Sequence, residues 1–213
     1  TVTASGRSEV AAVAPGRNVV HIDDGDLITV QSVNGRDSTE HGVYVSGGNG
    51  DNDAGVVGSR AITFGDIRLV NSGQCGVKAK ADDDVGAVPH NSLTIGSLTI
   101  LGANKMVPDP PPDPSGVQNA DGLRLENIEH FNIGSVTVFS SGNYGTVSCN
   151  AGIHLSGTQT GLIGSAVLAS CAKPALYIRD YRNNNGRVSL QNLLILDAKS
   201  HAVHVVSTNG NTT

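Results

Sequence analysis

From residue 42 onward the chain alternates between two short hydrophobic–polar phrases. The first runs apolar, small polar, apolar, Gly, then Ser or Asp, followed by further alternation. It occurs at Ile62–Asp66 (ITFGD), Leu93–Ser97 (LTIGS), Phe131–Ser135 (FNIGS) and Leu162–Ser165 (LIGS, one residue short). A degenerate copy starts at Val188, with Gln191 and Asn192 in place of Gly–Ser, and a half-copy starts at Asp24. The second phrase is small–apolar–x–apolar–x: GVYVS from Gly42, GVKAK from Gly76, GLRLE from Gly122, GIHLS from Gly152, ALYIR from Ala175 and AVHVV from Ala202. Alternation with a period of two predicts short strands with one buried face.

Copies of the second phrase start at intervals of 34, 46, 30, 23 and 27 residues. Constant short strands joined by loops of variable length predict a solenoid. Two-residue Asn-Gly turns between alternating runs, which a hairpin-built sandwich needs, are scarce. No amphipathic stretch of three helical turns is present to serve as crossovers of an α/β sheet. The recurrent Gly marks a corner within the strand, where a residue without a Cβ is needed.

The paired phrases, the Gly–Ser bend and the 23-residue shortest interval resemble the right-handed parallel β-helix of the pectate-lyase-like superfamily. That superfamily includes polysaccharide lyases, polygalacturonase-type hydrolases and phage tailspikes. The resemblance covers about residues 16–208 as a fold pattern and carries over no catalytic motif. It implies an all-β, single-stranded right-handed parallel β-helix of about six or seven coils, forming one domain over residues 1–213. It also implies a polysaccharide partner, an extracellular or virion-surface setting and, by likeness to tailspikes, a homotrimer. The chain opens on Thr1 and closes on STNGNTT without a capping pattern, so the expectation is a fragment of a longer protein.

Composition narrows the function. Net charge is −5 with no basic cluster or aromatic platform, which argues against nucleic acid. No apolar run is long enough to span a bilayer as a helix. The three cysteines, Cys75, Cys149 and Cys171, lack metal-ligand spacing and read as buried small side chains; a Cys149–Cys171 disulfide is the alternative.

Stacking the second phrase at about 4.8 Å per repeat puts Val43 and Val45, Leu123 and Leu125, and their equivalents in the core. The intervening positions then face outward. They read Tyr44, Lys78, Arg124, His154, Tyr177 and His204, followed by Ser46, Lys80, Glu126, Ser156, Arg179 and Val206. The corresponding file on the first phrase is Thr63, Thr94, Asn132 and Ser189, which is ordinary β surface. A stripe of Tyr, His, Arg and Lys suits a polyhydroxylated, anionic chain. Taken singly, each of these residues reads first as solvated sheet surface; taken as a unit, the stripe fits binding and solvated surface equally. Long loops at 47–60, 81–91, 102–121 and 139–151 flank this stripe.

The expected groove floor is Tyr44, Lys78, Lys80, Arg124, Glu126 and His154, extended by Tyr177 and Arg179. Asp82, Asp83, Asp84, Asp109, Asp113 and Asp121 are candidate wall residues. Three mechanisms fit. A lyase would use Lys78 or Arg124 near the base position, with Ca²⁺ as cofactor on Asp82, Asp83 and Asp84. A hydrolase would use the Glu126 and Asp121 carboxylates. A binding module or non-enzymatic surface passenger needs neither.

Overall fold

The structure, a computed structural model, describes residues 2–5, 18–23, 25–47, 59–81, 89–103, 121–141, 151–157, 160–171, 173–180 and 187–207. Asp82, Asp83, Asp84, Asp109, Asp113, Cys149 and most of the long flanking loops lie outside the described residues.

Among the described residues the fold is all-β, without helices. One seven-stranded sheet holds β1 (Val2–Ser5), β3 (Thr29–Arg36), β5 (Ile62–Val70), β7 (His90–Ala103), β9 (Ile128–Ser141), β11 (Thr160–Ala169) and β13 (Arg187–Leu196), in that order. The other holds β2 (Val20–Asp23), β4 (Val43–Ser46), β6 (Val77–Lys80), β8 (Leu123–Glu126), β10 (Ile153–Ser156), β12 (Leu176–Asp180) and β14 (Val203–Ser207). Every pairing is parallel, and the chain visits the two sheets in strict alternation. This arrangement is compatible with a parallel β-helix.

The register is the one the phrases predict. Phe64 pairs with Ile95, Ile95 with Ile133 and Ile133 with Ile163. On the second sheet Lys78 pairs with Arg124, and Arg124 with His154. One apolar cluster joins the inward residues of both sheets, including Phe64, Ile95 and Ile133 from the first and Val45, Leu125 and Leu155 from the second. Burying each of these side chains contributes roughly 1.5–3 kcal/mol.

The first-sheet strands bend at the repeated glycine. In β5, Ile62 and Phe64 are buried, then Ile67 and Leu69, so the inward phase slips at Gly65–Asp66. Both halves of the strand thereby keep facing the core. None of Gly65, Gly96, Gly134 or Gly164 has a positive φ. What glycine supplies here is room: a Cβ on Gly96 would stand 2.5 Å from the carbonyl oxygen of Gly65, and Gly134 and Gly164 repeat the contact up the column. The sequence signals the corner, and the structure adds the close backbone approach that enforces it.

Left-handed turn residues follow the strands at Asp37, Asn71, Ser170 and Asp197, and Gly102 takes the same conformation near the end of β7. Asn71 Nδ2 donates to Asp37 Oδ1 at 3.2 Å, so these turns are stitched side chain to side chain. A single left-handed residue, Asn127, joins β8 to β9. Asn and Asp tolerate this conformation better than other residues with a Cβ.

Cys75 and Cys171 are buried, in keeping with the packing reading of the cysteines, and Cys149, the other half of the alternative disulfide, lies outside the described residues.

Candidate functional site

The outward file of the second sheet runs His21, Tyr44, Lys78, Arg124, His154, Tyr177 and His204 in unbroken parallel register. Beside it Lys80, Glu126, Ser156, Arg179 and Val206 form a second file. Side chains in one file of a parallel sheet sit one strand spacing apart, close enough for mutual contact.

One expectation needs correction. Arg124, Glu126 and His154 are not an exposed floor: they retain 5%, 7% and 3% of their accessible surface. Asp121, expected in a wall, is fully buried at the same place. The structure thus brings Asp121, Arg124, Glu126 and His154 together as an interior cluster. Tyr44, Lys78, Lys80, Tyr177 and Arg179 are half-buried to either side of it.

The carboxylates of the cluster are closely hydrogen-bonded. Asp121 Oδ1 accepts the Ala151 N–H at 2.7 Å, and its Oδ2 accepts from Arg124 Nη1 at 3.1 Å. His154 Nδ1 lies 3.0 Å from that same Oδ2. Because a carboxylate oxygen only accepts, the contact assigns the proton to His154 Nδ1. The 3.2 Å approach of Arg124 Nη1 to Nδ1 is then a contact between two donors that share one acceptor. Arg124 Nη2 donates to Glu126 Oε1, which Ser156 Oγ also reaches at 3.4 Å. Arg124 Nε and His154 Nε2 are buried without a hydrogen-bond partner among the described residues.

The electrostatics follow from this packing. Burial works against the Glu126 carboxylate, yet the hydrogen bond and charge of Arg124, aided by His154 and Lys80, hold its pKa below the ordinary value. Burial likewise opposes charge on Arg124. The Glu126 hydrogen bond and the Asp121 and Glu126 carboxylates outweigh it and raise the guanidinium above its usual range. Both groups are fixed in their ionised forms, so Glu126 is poorly placed to donate a proton to a leaving group.

Around Tyr44 the file is aromatic and cationic. His21 stacks on its ring at a centroid distance of 5.0 Å, and Lys78 Nζ lies 5.2 Å from the ring centroid. Burial, against the opposing charge of Lys80, raises the Tyr44 phenol.

A further file was not read from the sequence beyond Asp121. The residues just before each small-residue start, His41, Cys75, Asp121, Ala151, Pro174 and His201, occupy equivalent positions. His41 Nδ1 accepts the Cys75 N–H at 3.2 Å, as Asp121 accepts that of Ala151. Burial, with the charges of Lys78, Arg124 and His21, lowers His41 to about 3. Burial, joined by the Asp121 charge, pushes the Cys75 thiol up to about 12. The available signal was position alone: each of these residues stands immediately before a second phrase.

No group of three His, Cys, Asp or Glu among the described residues is placed to hold a metal ion, and Asp82, Asp83 and Asp84 are not among them. Among the described residues no helix is long and apolar enough to cross a membrane. No family model, curated protein or solved structure matches the chain.

Proposed function

We propose that the chain is a right-handed parallel β-helix of the pectate-lyase-like type that recognises a surface polysaccharide along its second sheet, in an extracellular or virion-surface setting. The observation that carries this reading is the outward file itself. Tyr44, Lys78, Lys80, Tyr177 and Arg179 offer ring faces and charged donors at strand spacing, on a scaffold stiffened by the buried Asp121–Arg124–Glu126–His154 cluster. Sugars present apolar ring faces and hydroxyl or anionic edges, which such a file complements.

Recognition is favoured over hydrolysis by the state of the two carboxylates. A glycosidase acid needs a raised pKa and access to the scissile bond. Glu126 is lowered and buried, and both Asp121 oxygens are already engaged. Elimination would fall to Lys78 or Tyr44, which are half-buried.

The test is a panel of capsular, O-antigen and uronate polymers. Binding is measured directly, and new reducing ends and unsaturated products are assayed with and without chelator. Saturable binding of at least one polymer, weakened by Lys78→Ala, is the expected result. A panel that is neither bound nor cleaved would overturn the reading.

A further inference from the structure

Beyond the buried cluster, the second sheet opens into a pocket of about 230 Å³ lined by Ala151, Lys173, Pro174, Tyr177, Ser200, His201 and His204. Its origin lies in the file that precedes the second-phrase strands. There His41, Cys75 and Asp121 fill the space with buried side chains, and in the next two repeats the file shrinks to Ala151 and Pro174.

The chemistry of the lining is one-sided. Lys173 contributes a cation with no ion-pair partner among the described residues, and none of the described lining residues is acidic. His201 and His204 lie 5.2 Å apart, ring to ring, and Ser200 Oγ is 3.1 Å from His201 Nδ1. Tyr177 packs on His204 at 5.3 Å and, on its other side, edge-on against His154 at 4.8 Å. Its ring is thereby braced between the pocket and the rigid cluster. Cationic and imidazole donors suit an anion, and the Tyr177 and Pro174 ring faces suit a saturated ring. The volume lies below the 300–1,000 Å³ usual for drug-sized ligands, so it fits a single ring with one substituent.

We infer that this pocket seats one acidic sugar unit, its carboxylate, sulfate or phosphate held by Lys173, His201 and His204, and its ring laid against Tyr177 and Pro174. The choice of a sugar rests on the polysaccharide reading above; the preference for an anion rests on the lining alone. The polymer recognised by the sheet would then be anionic and anchored at this end of the file, away from the buried Arg124.

The experiment is an NMR titration of the histidine side chains, assigned with His201→Asn and His204→Asn, using glucuronate, glucose 6-sulfate, glucose 6-phosphate and neutral glucose. The result expected is saturable movement of the His201 and His204 signals with at least one acidic sugar, little with glucose, and affinity reduced about tenfold by Lys173→Gln. The three acidic ligands distinguish the source of the anion. Histidine signals unmoved by every acidic sugar, moved equally by glucose, or insensitive to Lys173→Gln would overturn the inference. Acidic sugars that fill the pocket while no polysaccharide binds would uphold the pocket and sink the polysaccharide reading. A bound polysaccharide that leaves both histidines unmoved would do the reverse.

Discussion

The two sheets share one core and one parallel register, yet their outward faces differ in kind. On the first sheet the outward files run Thr63, Thr94, Asn132 and Leu162, and Arg68, Thr99, Thr137 and Val167, with Arg68 their one charged residue. Its recurrent feature is the glycine column of Gly65, Gly96, Gly134 and Gly164, where the backbones come too close for a Cβ. On the second sheet almost every outward position changes from one strand to the next, and the changes bring in charge, imidazole and phenol. Where a repeat must hold the parallel strands in close register, its glycine recurs. Where it is relieved of that duty, its residues diverge, and the buried salt-bridged cluster and the cationic pocket both arise there.

The sharpest way to break this contrast is to remove the same residue type from each sheet. Arg124→Ala leaves the buried Asp121 and Glu126 carboxylates facing each other without their guanidinium. It should cost about 3–5 kcal/mol in urea unfolding, whereas Arg68→Ala, exposed on the first sheet, should change stability by less than about 0.5 kcal/mol. Equal effects would mean that the second sheet is no more specialised than the first.

Acid titration gives the next largest effect. His41 is held at about 3 in the folded chain against 6.5 when unfolded. Between those values the unfolded state binds one more proton, so this contribution is complete above pH 6.5 and is lost as pH falls toward 3. The slope is about 1.4 kcal/mol per pH unit, or roughly 3 kcal/mol between pH 6.5 and 4.5. Glu126, lowered in the folded chain, adds a loss in the same direction below its ordinary value of 4.5. His41→Asn, whose amide oxygen can still accept the Cys75 N–H, should flatten the upper part of the profile. A wild-type profile flat from pH 7 to 4.5 would contradict the burial of a neutral His41.

Gly96→Ala tests the constant side of the comparison. Pushing a Cβ against the Gly65 carbonyl should cost about 1–3 kcal/mol through strand displacement. Thr99→Ala, three residues along the same strand on its outward face, should be nearly silent, within about 0.5 kcal/mol.

Much of the architecture was legible in the sequence because it rests on local alternation. Strands with one buried face, their pairing order and the strand-by-strand register of Tyr44, Lys78, Arg124, His154 and Tyr177 all follow from aligning the phrases. Burial of the outward face was not legible. Alternation distinguishes the core side from the other side of a strand, and it is silent on whether that other side meets solvent. Arg124, Glu126 and His154 were therefore placed in the correct file and given the wrong exposure. The pocket was hidden for a different reason. It depends on side-chain volume in a turn, where Ala151 and Pro174 replace the bulk of His41 and Asp121, and turns carry no periodic pattern to align.

The central claim is that the second sheet is the recognition face and the first is scaffold. It is tested most directly by the affinity for a bound polysaccharide of Lys78→Ala and Arg68→Ala, two losses of one positive charge on opposite faces. Lys78→Ala should lose about tenfold or more in affinity, and Arg68→Ala should leave it unchanged within about twofold. Equal losses, or a loss confined to Arg68→Ala, would contradict the claim.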